Sequence, residues 1–278
     1  MALIQKKTGA AQSGARIQVP PGGFVRANKA FARRLICSID GLEKQGKDHF
    51  ALTAPGPICV ISTDVGLDGV VQKFQDLKEI YIAEYRVALG PKGGRKQTLE
   101  DMQEVAAACS KIWAGILRDY QDALDSGART VIVDTATEVW EILRMARFGK
   151  LTQVMPHHYG PVNAEFDGFI KDAYEREGVN LILLHKLTEE WKNDSAGKGS
   201  PTGTFRRSGF KGVAFAVQVN AVVYRDAEEE KIPDAFHVTI QDCRHNPSLN
   251  GIDLSGAECT FPYLAALVLD GTPEEFGG

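Results

Sequence analysis

From Leu35 onward the chain alternates short, continuous apolar runs with longer stretches of helical spacing. Leu35-Ile36-Cys37-Ser38-Ile39, Ile58-Cys59-Val60-Ile61, Thr130-Val131-Ile132-Val133 and Val179-Asn180-Leu181-Ile182-Leu183-Leu184 lack the polar alternation of strands with a solvated face. They predict strands buried on both sides. Between them, Leu99 to about Ser126 spaces Met102, Val105, Ala106, Ile112, Trp113, Ile116 and Leu117 as a long helix that Gly127 stops, and another helix runs through Val162 to Arg176. Val213 to Tyr224 and Phe236 to Ile240 predict later strands pairing as an antiparallel extension, with a charged hairpin turn at Asp226, Glu228, Glu229, Glu230 and Lys231. The whole predicts an α/β fold: a mainly parallel central sheet flanked by helices, with antiparallel C-terminal strands.

The two ends differ from this body. Residues 1–30 are rich in Gly, Ala and Gln, and Lys6, Lys7, Arg16, Arg26 and Lys29 stand there with no acidic residue before Asp40. They are expected to form a flexible basic arm, either a contact with nucleic-acid phosphates or a neighbouring subunit, or a solvated tail. Residues 31–268 are expected to form the core. Residues 269–278, with Asp270, Glu274 and Glu275, are expected to be a frayed acidic tail.

With 278 residues, 44% hydrophobic and 24% charged, the chain can bury a full core in one elaborated domain. A net charge of −4 argues against a uniformly basic nucleic-acid binder but allows a local basic surface. The five cysteines show no Cys-x-x-Cys pairing and several lie in apolar runs, which fits a reduced, cytosolic protein. No apolar stretch is long enough to cross a bilayer, so no membrane association is expected.

The chemistry begins at Gly41-Leu42-Glu43-Lys44-Gln45-Gly46-Lys47, between the first apolar run and the helix-compatible His49-Phe50-Ala51-Leu52. Glycines at that spacing let successive N–H groups point at a polyphosphate, and Lys47 reaches its terminal phosphates. Residues 41–49 are therefore the candidate nucleotide-binding segment. Asp48 stands where such loops ordinarily place the Ser or Thr that ligates Mg²⁺; a carboxylate can bind the metal but adds negative charge beside the phosphates. Asp134, ending an apolar strand, is the second candidate Mg²⁺ ligand, with Thr135 in support. His185, ending the next strand, is a candidate sensor of the γ-phosphate.

Two stretches follow consecutive sheet strands and mix cations with aromatics, a composition suited to single-stranded DNA because rings stack on bases while cations neutralise phosphates. The first, Arg144 to Tyr159, offers Arg147 and Lys150. The second is a mobile loop from Asn193 to Gly203 with its flank, offering Lys198, Phe205, Arg206, Arg207, Phe210 and Lys211. His157-His158, lacking further ligands, is no zinc signature.

This order of motifs resembles the RecA-like P-loop ATPase core. More specifically, Gly41 to Lys47, then His49 to Pro57 and Asp64-Val65-Gly66-Leu67-Asp68-Gly69-Val70-Val71, are similar to the phage RecA-like single-strand annealing proteins, the Sak-type ATP-binding recombinases, over about residues 35–265. The resemblance implies a cytosolic protein, in the host cytoplasm if phage-encoded. It implies an oligomer, ring or filament, that binds ATP with Mg²⁺ and single-stranded DNA and promotes annealing, with a single-strand-binding protein as a further partner. It assigns Lys47 to the phosphates, and Asp64 to the acid that positions the attacking water, although the family usually carries glutamate there; Glu138 is the alternative. Arg244 matches an arginine offered across a subunit interface to a neighbour's γ-phosphate, while Asp242 replaces a lysine common in relatives. Asp48 and Asp242 both point to slow turnover. A non-hydrolysing annealing scaffold with a degenerate nucleotide site, and a P-loop kinase, are the alternatives.

Overall fold

The computed structural model describes residues 33–64, 66–86, 99–149, 156–193, 199–226 and 236–278. The basic arm, Lys150, Lys198 and the turn expected at Glu228 to Lys231 lie outside the described residues.

Nine strands among the described residues form one sheet: β1 (Ile36–Gly41), β2 (Ile58–Ser62), β3 (Ile80–Glu84), β4 (Thr130–Asp134), β5 (Asn180–Asn193), β6 (Gly199–Arg207), β7 (Val219–Arg225), β8 (Phe236–Cys243) and β9 (Asp253–Ser255). Their order is β3-β2-β4-β5-β1-β7-β8-β9, with β6 pairing β5. The pairs from β3 through β7 along this path are parallel, and β8 and β9 close the row antiparallel. The predicted architecture is present.

The apolar runs are continuous because both faces of the sheet are covered. Cys37 and Ile39 of β1 and Ile182 and Leu184 of β5 pack with α1 (Lys47–Leu52) and α6 (Phe261–Leu269). Ile36, Leu181 and Leu183 point the other way, into α2 (Leu99–Asp125), α3 (Ala136–Phe148) and α4 (Pro156–Asp172). Fully buried side chains such as Phe50 and Phe166 contribute roughly 1.5–3 kcal/mol each. Gly127, at φ 84°, follows α2 as the expected left-handed stop.

One strand was not foreseen, and three expectations change. Ile80 to Glu84 adds a parallel edge strand that its exposed, weakly apolar pattern concealed. The stretch read as a mobile loop after His185 is in large part a hairpin: β5 runs on to Asn193 and pairs antiparallel with β6. Its faces are mostly exposed, so no hydrophobic alternation announced it. Val213 to Ala216 forms a short helix, α5, before β7 instead of the start of a strand. The C-terminal stretch is not frayed: Thr272 and Glu275 form a capping box and Phe276 is buried in the core. Residues 33–278 form one compact unit.

Candidate nucleotide site and its surroundings

Gly41 is the last residue of β1 and Lys47 the first of α1, so the loop between them wraps the carboxyl rim of the sheet. A Cβ on Gly41 would lie 2.8 Å from the carbonyl oxygen of Val223, and Gly46 adopts φ 90° with the Phe236 ring 2.8 Å from where its Cβ would be. Both positions require glycine. The ammonium of Lys47 donates to the carbonyls of Gly41 (3.0 Å) and Leu42 (2.7 Å). Burial is the main cause that lowers its pKa, with the Lys186 charge adding to it. The Gln45 side chain accepts from the Arg225 amide at 2.6 Å, tying the loop to β7.

A cleft of about 490 Å³ opens over this loop, lined by Glu43, Lys44, Gly46, Lys47, Asp48, His49, Asp64, Gly66, Val70, Asp134, Thr135, Lys186 and Phe236. Of the candidate nucleotide-binding residues, Glu43, Lys44 and Gly46 to His49 therefore meet in one cavity. His49 also packs edge-on against Phe74, 5.0 Å between centroids.

Three aspartates, Asp48, Asp64 and Asp134, share the cleft with Glu43. Burial pushes Asp134 up to about 8, with the negative charges of Asp48 and Asp64 adding to the effect. Asp48 is likewise raised, first by burial, with Lys47 opposing and Asp64 reinforcing. The Oδ2 atom of Asp134 is buried and has no hydrogen-bond partner among the described residues. An orphaned carboxylate oxygen crowded by two further acids fits a hard divalent cation. Mg²⁺ is ordinarily held by one or two carboxylates, with phosphate oxygens and water completing its shell. Among the described residues no group of three or more His, Cys, Asp or Glu side chains is arranged to hold a metal ion by itself. The Thr135 hydroxyl accepts from the Glu138 amide at 3.3 Å and so caps α3.

Asp64 and Glu138, the two acids weighed for positioning water, come together around a residue to which the sequence reading gave no role. The Lys186 ammonium lies 3.2 Å from Asp64 and 2.5 Å from Glu138. His185, the expected sensor, points elsewhere. It is fully buried, its Nδ1 is 3.5 Å from the Thr137 hydroxyl, and burial followed by the Arg207 charge holds its pKa well below the usual histidine value. Strand alternation explains the exchange, since adjacent residues face opposite ways and Lys186 is the one that enters the cleft. The pairing of Gly41 with Lys186 across β1 and β5 was the signal, and it becomes visible only with the strand order.

Arg244 lies elsewhere. β7 runs parallel to β1 and begins beside Cys37, while β8 runs back and ends with Cys243 beside Val219. Arg244 therefore leaves the amino rim of the sheet, opposite the cleft, where its guanidinium bonds the carbonyl of Phe215. Phe215 itself is 83% exposed.

The candidate DNA contacts divide. Arg206 and Phe205 are exposed on β6, with Arg206 3.6 Å from Glu190. Lys211 is exposed. Arg147 sits on α3, half-exposed and paired with Glu165 at 2.5 Å. Arg207 and Phe210 are less open than expected: Arg207, its side chain 12% exposed, is ion-paired with Asp40, and Phe210 packs edge-on against Phe166. Both expected stretches nevertheless contribute to one cleft of about 380 Å³. Trp140 and Tyr159, stacked with ring planes 4° from parallel and centroids 5.9 Å apart, line it with Asn163, Gly209, Phe210, Lys211 and Gly212. No described helix is long and apolar enough to cross a membrane.

No family model matches the sequence, and no curated protein matches it. Among solved structures, the chain is similar to the crystal structure of the RadB recombinase at 10% identity, covering 81% of this chain and 87% of that one with a TM-score of 0.44. It is also similar to the assembled ATPase EscN from the type III secretion system of enteropathogenic E. coli, at 13% identity, covering 73% of this chain and 46% of that one with a TM-score of 0.43.

Proposed function

We propose that this chain is a RecA-like P-loop protein that binds ATP with Mg²⁺ and binds single-stranded DNA, acting as a phage-type annealing recombinase with slow hydrolysis at subunit interfaces. The observation that carries the nucleotide half is the convergence of the Lys47 ammonium and the Asp134 carboxylate, with its unpartnered Oδ2, in one cleft beneath a glycine-bounded loop. Loop amides and Lys47 would hold the phosphates, and Asp134 with Asp48 would hold the metal. The cation, when bound, neutralises phosphate charge. Asp64 or Glu138 would accept the hydrogen bond that orients water, and Arg244 would serve a neighbouring chain's nucleotide.

The DNA half is supported by the aromatic cleft at Trp140 and Tyr159 with Lys211 at its edge, and by the exposed Phe205 and Arg206. Calorimetry of Lys47→Ala tests the nucleotide site: ATP affinity should be lost, and unchanged affinity rejects the assignment. A second reading, a scaffold that anneals strands without turnover, is favoured by Asp48 and by the occupation of both water-positioning acids by Lys186. Phosphate release measured with and without single-stranded DNA separates the two.

A further inference from the structure

The second half of the phosphate loop leans on the β7–β8 pair. Arg225 of β7 stands opposite Phe236 of β8, and Tyr224 opposite His237, so alternation gives the pair two faces. On one face the Phe236 ring closes over Gly46 and lines the nucleotide cleft, with the Arg225 guanidinium 5.2 Å from the ring centre; the Arg225 amide bonds Gln45 beside it. On the other face His237 stacks on Tyr224 and stands between two acids. Its Nδ1 lies 2.7 Å from Asp253 of β9 and its Nε2 3.1 Å from Asp226, which follows β7. Tyr224, Asp226 and Asp253 are the titratable groups that face the ring among the described residues. A neutral imidazole carries one N–H and donates to one carboxylate only, so both contacts are hydrogen bonds only when both nitrogens are protonated. The two acids differ in what remains once that proton leaves. Asp253 also accepts from the hydroxyls of Thr239 (2.5 Å) and Tyr224 (3.3 Å), whereas Asp226 has no other hydrogen bond among the described residues. The bond to Asp226 is therefore the one lost.

We infer that His237, when doubly protonated, is a positioning residue for the phosphate loop: it ties the end of β7 to β9 through Asp226 and Asp253, and so holds Arg225 and Phe236 against Gln45 and Gly46. The inference rests on the nucleotide-binding reading above and adds a proton dependence to it. The hydrogen bond to Asp253 raises the pKa of His237, burial opposes, and the charges of Asp253 and Asp226 add to the rise. The brace is whole below the raised value and opens as pH climbs through it. Nucleotide affinity falls in the same direction.

The test is calorimetry on the full chain with Mg²⁺ and a non-hydrolysable ATP analogue, from about pH 6 to about pH 9, a range that brackets a raised histidine. His237→Gln should bind about two- to fivefold more weakly than wild type at the acid end, the scale of a partly exposed ion pair, and the two should converge at the alkaline end. Asp134, pushed up to about 8, and the nucleotide titrate in the same window. Wild type and variant share both, so the difference between their profiles isolates His237. Asp226→Asn provides the same comparison should the Gln variant fail to fold. Parallel profiles, superimposed or offset by a constant factor, overturn the inference and leave the nucleotide site standing, as does a gap that widens with pH. A wild-type chain that binds no nucleotide at any pH instead brings down the reading beneath it.

Discussion

Arg207 of β6 grips Asp40 of β1 with two hydrogen bonds, Nε to Oδ1 at 2.7 Å and Nη2 to Oδ2 at 2.9 Å, and its Nη2 also reaches Asn220 at 3.0 Å. Burial raises the Asp40 carboxyl more than Arg207 lowers it, so the importance of the pair lies in what breaking it would leave behind. Arg207→Ala should destabilise the fold by about 3–5 kcal/mol in urea unfolding. Arg206→Ala, one residue away and exposed, should stay within about 0.5 kcal/mol of wild type while weakening single-strand binding and flattening its salt dependence. If the two variants behave alike, the division between inner and outer arginine is wrong.

Gly46→Ala combines a left-handed backbone with a collision against the Phe236 ring. It should lower stability by about 1–3 kcal/mol and abolish nucleotide binding. Adding Phe236→Ala relieves only the collision, so thermal unfolding should recover in part. Full recovery would mean that backbone conformation contributes nothing.

Asp48→Thr removes one of the two acids that raise Asp134 and restores a hydroxyl to the loop. Phosphate release in the presence of single-stranded DNA should rise. A fall would assign the Asp48 carboxylate a supporting role in the chemistry.

His237 is clamped between Asp253 (2.7 Å) and Asp226 (3.1 Å), under the Tyr224 ring at 4.9 Å. The hydrogen bond to Asp253 raises its pKa, burial opposes, and the charges of Asp253 and Asp226 add to the rise. Because the folded value exceeds the unfolded one of about 6.5, the stabilisation is complete below that pH and fades as pH climbs through the raised value. Denaturant midpoints should therefore decline as pH rises above about 6.5. His237→Gln should remove that part of the slope, and a variant that keeps it would assign the slope to other groups.

Phe276→Ala should cost about 3–5 kcal/mol, since the ring is 3% exposed and packs in the same cluster as Phe50 and Phe261. A tail without structural work would tolerate the change with an unaltered melting temperature.

Most of the parallel sheet was legible because burial on both faces writes itself as uninterrupted apolar runs, as in β1 and β4. Gly41 and Gly46 were legible for a related reason: backbone geometry there excludes side chains. β6 was not, because Gly199 to Arg207 is held by backbone pairing with β5 and carries almost no apolar side chain to declare it. The partners of Arg207 and Phe210 were hidden for the opposite reason. A cation and a ring in a Gly-rich stretch look solvated until Asp40 and Phe166, distant in sequence, are seen to receive them. Lys186 depended on register alone, one step along the strand from the residue favoured at first.

The guanidinium of Arg244 and the phosphate cradle occupy opposite rims of one sheet, so no motion of a single chain short of unfolding brings them together. Any turnover that uses this arginine must then be second order in protein. Were nucleotide turned over with its help, the rate per chain would fall on dilution, because a second copy would have to supply the group.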